Sequence, residues 1–243
     1  MRSLRLLAGC LVLGASAASA EPGYYLVQVY DNAGETAVDM RYWTVKPNGS
    51  QAFIWPELGV SYGVNTRWTT EVYASWVGTW DDSTRLDSIN FQNDVLLTQG
   101  ERPYDLAVHT NLLLARDAAT SDLFEFGPVF QTEFGRTQLN ANVFFERPFN
   151  APAPSDTKLQ YQWQVKYRWR PALHIGLQGF SEVGTWDDWT SRSHQSHRVG
   201  PAIAGNWYVA PGQALRYEAA ILKGKTYGRE GTMFSMRLRW AFR

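Results

Sequence analysis

Ionisable side chains recur at alternate positions along most of this 243-residue chain, and their signs are segregated. Glu57, Glu71, Asp94, Asp105, Glu125, Glu133 and Glu146 come first; Lys166, Arg168, Arg198, Arg216, Arg237 and Arg239 come later, with Arg41 ahead of both groups. Glu182, Glu218 and Asp39 break the pattern. If the alternation is that of strands closed into a cylinder, an acidic arc faces a basic arc. Facing rows of charge are how a pore sorts small polar solutes. They can equally serve only to satisfy one another across a lumen, because buried charge has to be compensated. His109 and His174 fall on the same side. The candidate pore-lining set is therefore Arg41, Glu71, Asp94, Asp105, His109, Glu133, Lys166, Arg168, His174, Arg216, Arg237 and Arg239.

Other chemistries are weaker. Nucleophilic catalysis needs a base within hydrogen-bond reach of a hydroxyl, and His194 and His197 stand in or beside a loop containing Ser191, Ser193 and Ser196. A loop of that composition reads first as solvated surface. His194-Gln-Ser-His197 offers two ring nitrogens, which do not complete a metal site. The pairs Asp81-Asp82 and Asp187-Asp188 read as loop charge, with divalent ions among lipopolysaccharide phosphates as the alternative. No glycine-rich phosphate loop stands between a strand and a helix. The sequence assigns no catalytic residue, metal or cofactor.

Strands must position these groups, and one stretch shows it plainly. Leu159, Tyr161, Trp163, Val165, Tyr167 and Trp169 alternate without a fault with Gln160, Gln162, Gln164, Lys166 and Arg168. Period two means a strand. Aromatic residues at both ends of an apolar band, with polar groups opposite, suit a strand that crosses a bilayer in about 9 to 11 tilted residues.

The start of the chain agrees. Arg2 and Arg5 precede an apolar run from Leu6 to Ala17, then Ala18-Ser19-Ala20, which predicts a secretory leader over 1–20 and a mature chain from near Glu21. Leu7-Ala-Gly-Cys10 resembles a lipoprotein cleavage box, but leaves too short an apolar run after Arg5. Loss of the leader removes the single cysteine, Cys10, so neither a disulfide nor a thiolate metal site is expected. It also lowers Lys plus Arg from 23 to 21 against 23 acids, which gives no nucleic-acid footprint. Beyond the leader no apolar run reaches the ~18 residues of a membrane helix.

The alternation repeats about twelve times, and short turns alternate with longer polar loops, as in outer-membrane barrels. An even count puts both termini on the periplasmic side. The fold class is thus all-β, an antiparallel transmembrane up-and-down barrel over 35–243, preceded by a short periplasmic segment, 21–34. Tyr24 to Tyr30 would make a thirteenth strand and leave the N-terminus outside, so it stays in that segment, with the barrel mouth as one place for it. Gly127-Pro128 and Gly200-Pro201 put proline inside strands, where a bulge would accommodate the missing N–H. Val77-Gly-Thr-Trp-Asp-Asp82 recurs as Val183-Gly-Thr-Trp-Asp-Asp188, either a trace of duplication or a shared strand-to-loop exit.

Tyr62-Gly-Val-Asn-Thr-Arg-Trp68 with Glu71, Glu125-Phe-Gly-Pro128, Leu139-Asn-Ala-Asn142 and His197-Arg-Val-Gly-Pro201 resemble a widespread group of uncharacterised proteobacterial outer-membrane β-barrel proteins. The resemblance spans most of the mature chain and implies fold and outer-membrane location, without a function. The ending, alternating out to Phe242 before Arg243, is similar to the strand that such proteins present to the barrel-assembly machinery, which makes that machinery an expected partner through 231–243. Outer-membrane lipid and lipopolysaccharide are the other expected partners, and nucleic acid is not. Function then rests on the inner face. A narrow passive channel for small polar or charged solutes is expected; a closed structural or assembly barrel and an outer-membrane lipid-modifying enzyme stay open.

Overall fold

The structure, a computed structural model, describes residues 24–28, 32–117, 119–151, 155–226 and 228–243. The expected leader, its cleavage site and Cys10 lie outside them. Twelve strands follow one another: β1 (Thr36–Pro47), β2 (Phe53–Gly63), β3 (Trp68–Thr79), β4 (Arg85–Leu96), β5 (Tyr104–Ala115), β6 (Asp122–Phe134), β7 (Thr137–Phe149), β8 (Lys158–Arg170), β9 (Leu173–Thr185), β10 (Ser196–Ala210), β11 (Gln213–Thr226) and β12 (Arg229–Phe242). Each pairs antiparallel with its chain neighbours, and β1 pairs with β12 from Thr36↔Phe242 to Pro47↔Gly231, closing the barrel. Closure leaves no edge strand, which a sheet in lipid requires.

Period two decides which side chains face where. Val60, Leu177 and Ile221 point outward at 56, 51 and 55% exposure, a density of bare apolar surface that a water-soluble protein rarely carries. Trp68, Phe134, Trp169, Trp207 and Trp240 ring the end with the short turns, and Trp80, Phe124, Trp186 and Trp189 the end with the long loops. Two aromatic girdles about an apolar band are the outer surface of a membrane barrel. The lumen, correspondingly, holds most of the buried side chains.

The bulge expected at each Gly-Pro is not there. Phe126↔Phe145 and Val129↔Asn142 share one register across β6 and β7, as do Val199↔Lys223 and Ala202↔Ala220 across β10 and β11. A Cβ on Gly127 would lie 1.9 Å from the Val143 carbonyl oxygen, and one on Gly200 1.9 Å from that of Ile221. Glycine lets the next strand close in at these points, and the proline is met by a gap in the ladder rather than by an inserted residue. Register shifts fall elsewhere, at Ser75/Trp76, Leu159/Gln160, Arg168/Arg170 and Tyr208/Ala210.

Candidate functional site

The chain ahead of β1 does not stay at the mouth; it turns into the lumen. Gly34 N–H donates to the Gly63 carbonyl at 2.8 Å and Gly63 N–H to the Glu35 carbonyl at 2.9 Å, fixing the point of entry on β2. A Cβ at Gly63 would lie 1.7 Å from the Asn32 carbonyl oxygen, so only glycine admits the segment there. Deeper in, residues 24–28 are buried and form no strand, so wall side chains satisfy their polar groups. Val27 N–H donates to Gln162 Oε1 at 3.3 Å, and Asn142 Nδ2 donates to the Val27 carbonyl at 2.8 Å. The Tyr24 hydroxyl donates to Glu182 Oε1 at 2.5 Å and accepts from Arg198 Nη2 at 2.9 Å, while Ser235 Oγ donates to the Tyr24 carbonyl at 2.5 Å. Gln92 Nε2 donates to the Tyr25 hydroxyl at 2.6 Å.

Around this segment the basic arc is neutralised in place, by Glu71 and Glu133 of the acidic arc and by Asp39, Glu182 and Glu35 outside it, rather than facing an acidic wall across open water. Arg41 donates to Glu71 Oε2 at 2.8 Å and Gln92 Oε1 at 3.1 Å, with its guanidinium between the Tyr25 and Tyr73 rings, 3.6 Å from each centroid. Arg239 reaches the other Glu71 oxygen at 2.8 Å, and Arg237 holds Asp39 at 2.5 Å. Arg216 forms a bidentate pair with Glu35, both contacts at 2.8 Å. Arg198 pairs with Glu182 at 2.5 Å and Arg168 with Glu133 at 2.5 Å. His109 bridges Asp94 at 2.7 Å and Glu125 at 3.4 Å. Side chains taken out of water find partners in this way because an uncompensated charge there is costly.

Two cavities lie at opposite ends of the barrel. At the turn end one of ≈ 430 Å³ is bordered by Lys166, Arg168, His174, Arg216, Arg237 and Arg239, by Glu133 and Glu218, and by the amides of Gln28, Asn32, Gln131, Gln138 and Asn206. At the loop end another of ≈ 410 Å³ lies between Glu146, Glu182 and the loop residues Ser155, Asp156, Thr190 and His194. Beside the turn-end cavity, and sharing Gln28, Asn32, Arg237 and Arg239 with it, a gap of ≈ 20 Å³ lies against Tyr25 and Val27, about the room one water needs.

Of the sequence-derived set, the turn-end cavity gathers Glu133, Lys166, Arg168, His174, Arg216, Arg237 and Arg239. Arg41, Glu71, Asp94 and His109 border the narrow gap instead. Asp105 is tied to the β4–β5 turn, accepting from Gly100 N–H at 3.2 Å, and borders neither space. Missed by the alternation were Glu35, Tyr24, Tyr25 and Gln28, which precede the first strand. The consecutive tyrosines in a short polar lead were the available signal.

The serine–histidine pairs take simple forms. Ser191 Oγ and His194 Nδ1 are 2.9 Å apart on an exposed loop, with no carboxylate joined to them among the described residues. Ser181 Oγ meets His197 Nδ1 at 3.0 Å, and Gln195 Oε1 meets Nε2 at 2.8 Å. Ser181 is 6% exposed, which leaves an acyl carbonyl little approach to its hydroxyl. No group of three potential metal-ligating side chains occurs among the described residues.

No family model and no curated protein matches the chain. Solved structures do. The COG4313 outer membrane channel from Pseudomonas putida F1 is similar over 92% of this chain and 99% of its own, with a TM-score of 0.57 at 12% identity. The NanC porin is similar over 85% of this chain and 99% of its own, with a TM-score of 0.53 at 12% identity. Such identity speaks to fold and leaves the family resemblance where the sequence put it: the chain has the closed twelve-strand fold of outer-membrane channel barrels.

Proposed function

We propose that the protein is an outer-membrane channel that passes small polar or charged solutes passively, and that its own residues 24–28 hold it shut in the form described. One observation carries this reading: a segment that is no part of the wall, residues 24–28, lies buried in a lumen with cavities of ≈ 430 and ≈ 410 Å³ at its ends, packed against the wall side chains Trp43, Phe144, Phe180, Leu222 and Met233. Displacement of residues 24–28 would remove the segment that packs on these side chains and open the turn-end cavity further, where the solute meets Lys166, His174 and the Arg168–Glu133 pair. The short turns face the periplasm in this reading, so the entry point at Asn32 and Gly34 lies on that side. Strand 231–243 is the part offered to the barrel-assembly machinery, and outer-membrane lipid and lipopolysaccharide surround the apolar band.

A closed structural barrel is the second reading, favoured by the buried ion pairs at Arg41, Arg198 and Arg239. Planar-bilayer conductance separates the two. The refolded mature protein and a shortened chain lacking residues 21–31 are compared under a salt gradient. A channel gives ion-selective current that rises in the shortened chain; absence of current from both, in barrels verified by heat-modifiable gel mobility, removes the channel reading. Charge reversal at Arg237 and Arg239 is a poor probe of selectivity, because Asp39 and Glu71 would be left among added carboxylates. Lys166 and Arg168 are the better positions.

A further inference from the structure

The turn-end cavity contains an ion couple that has not closed. Four of its cations meet carboxylates: Arg168 with Glu133, Arg216 with Glu35, Arg237 with Asp39 and Arg239 with Glu71. The fifth, Lys166, is 7% exposed, and among the described residues its ammonium meets no carboxylate, only Gln28 Oε1 at 3.1 Å. Glu218, in the same cavity, receives no cation among them. Its oxygens accept from Gln28 Nε2 at 2.8 Å and from Gln164 Nε2. One carboxamide thus stands between an ammonium and a carboxylate, oxygen toward the first and nitrogen toward the second. Chemistry fixes that orientation, since an ammonium only donates and a carboxylate only accepts.

The wall supplies both charges, from β8 and β11, and the inserted segment supplies the bridge. Gly176, opposite Lys166 in the ladder, lets the backbones approach, since a Cβ there would lie 2.2 Å from Val165 O and 2.8 Å from Lys166 Cα. Each of these bonds already has one charged member, but a neutral amide adds no Coulombic attraction of its own to either. A group carrying a full negative charge where Gln28 Oε1 lies, and a full positive charge where its Nε2 lies, fits the couple better.

We infer that Lys166 and Glu218 form a recognition subsite for a small zwitterion, an amino acid whose carboxylate meets Lys166 and whose ammonium meets Glu218, with Gln28 its tethered stand-in when the channel is shut. An α-amino acid holds oxygen and nitrogen one bond further apart than a carboxamide does, and the adjoining space of ≈ 430 Å³ falls in the range of about 300–1,000 Å³ of small-molecule sites. The remaining wall suits this ligand: its other charges are paired, so neither a net anion nor a net cation is favoured at the couple. This inference rests on the channel reading and names the solute class for it.

The test is block of ion current in planar bilayers by glycine and by glycolamide, a neutral solute of similar size. In the shortened chain lacking residues 21–31, which withdraws the stand-in and keeps both charges, glycine should half-block at a concentration about tenfold lower than glycolamide, because its own charges add Coulombic attraction to each contact. Lys166→Met or Glu218→Gln should abolish that preference. The doubly reversed variant, Lys166→Glu with Glu218→Lys, keeps an opposed couple and should retain it, which a merely structural role would not predict. Equal block by glycine and glycolamide in a conducting shortened chain overturns this inference and leaves the channel standing. Absence of current from both wild type and the shortened chain overturns both.

Discussion

Arg41 shows what a single buried charge does in this lumen. At 1% exposure it compensates Glu71, stands 3.7 Å from Glu57, and stacks between a wall tyrosine and one from the inserted segment. Arg41→Leu leaves those carboxylates short of a partner, and the expected loss is about 3–5 kcal/mol, read from urea unfolding in lipid vesicles. Arg41→Lys keeps the charge but gives up the planar fork, and should recover only part of that stability. The face on which Arg41, Glu71, Lys166 and Arg239 lie was legible in the sequence, because period two assigns a side to each residue. Their partners were not legible. Pairing depends on which strands meet across the lumen and on Glu35, Tyr24 and Tyr25, which precede the first strand and so have no place in the alternation.

At the scale of elements, the strands were readable because each carries its own apolar and polar faces, and short turns need glycines such as Gly135 and Gly212, both with positive φ (60° and 74°). The Gly-Pro pairs were misread as bulges, since a close approach by the neighbouring strand leaves no trace in local pattern. Gly127→Ala should therefore cost at least about 1–3 kcal/mol, the usual penalty of overpacking, while a bulge would have absorbed the methyl group; unfolding midpoints decide. Gly63 plays a different part. Its missing Cβ admits the Asn32 carbonyl, so Gly63→Ala should push the segment from its entry point and raise conductance without loss of the heat-modifiable barrel. Unchanged current in a folded Gly63→Ala barrel would mean that the segment is not seated there.

The whole molecule is a partly inverted object: apolar outside, and within it many polar and charged groups beside a buried apolar cluster that includes Trp43, Phe144, Phe180, Leu222 and Met233. Arg at a midband position such as Ile221 should lower stability by about 2–4 kcal/mol in a bilayer, read from reversible unfolding, and much less at the girdles. The enclosed segment has a consequence for how such a molecule can come together. It precedes β1 in the chain, and β1 meets β12 along the full seam, so residues 24–28 are ringed by wall on every side once the first and last strands have met. A thread cannot be sewn through a tube after the fact without passing its free end along the bore. Either residues 24–28 lie in place before the seam closes, or they enter afterwards end first, and a folded passenger fused ahead of them would forbid the second route. Such a passenger turns the order of events into something that can be seen: if the thread is drawn in late, the fused protein is left with an empty bore.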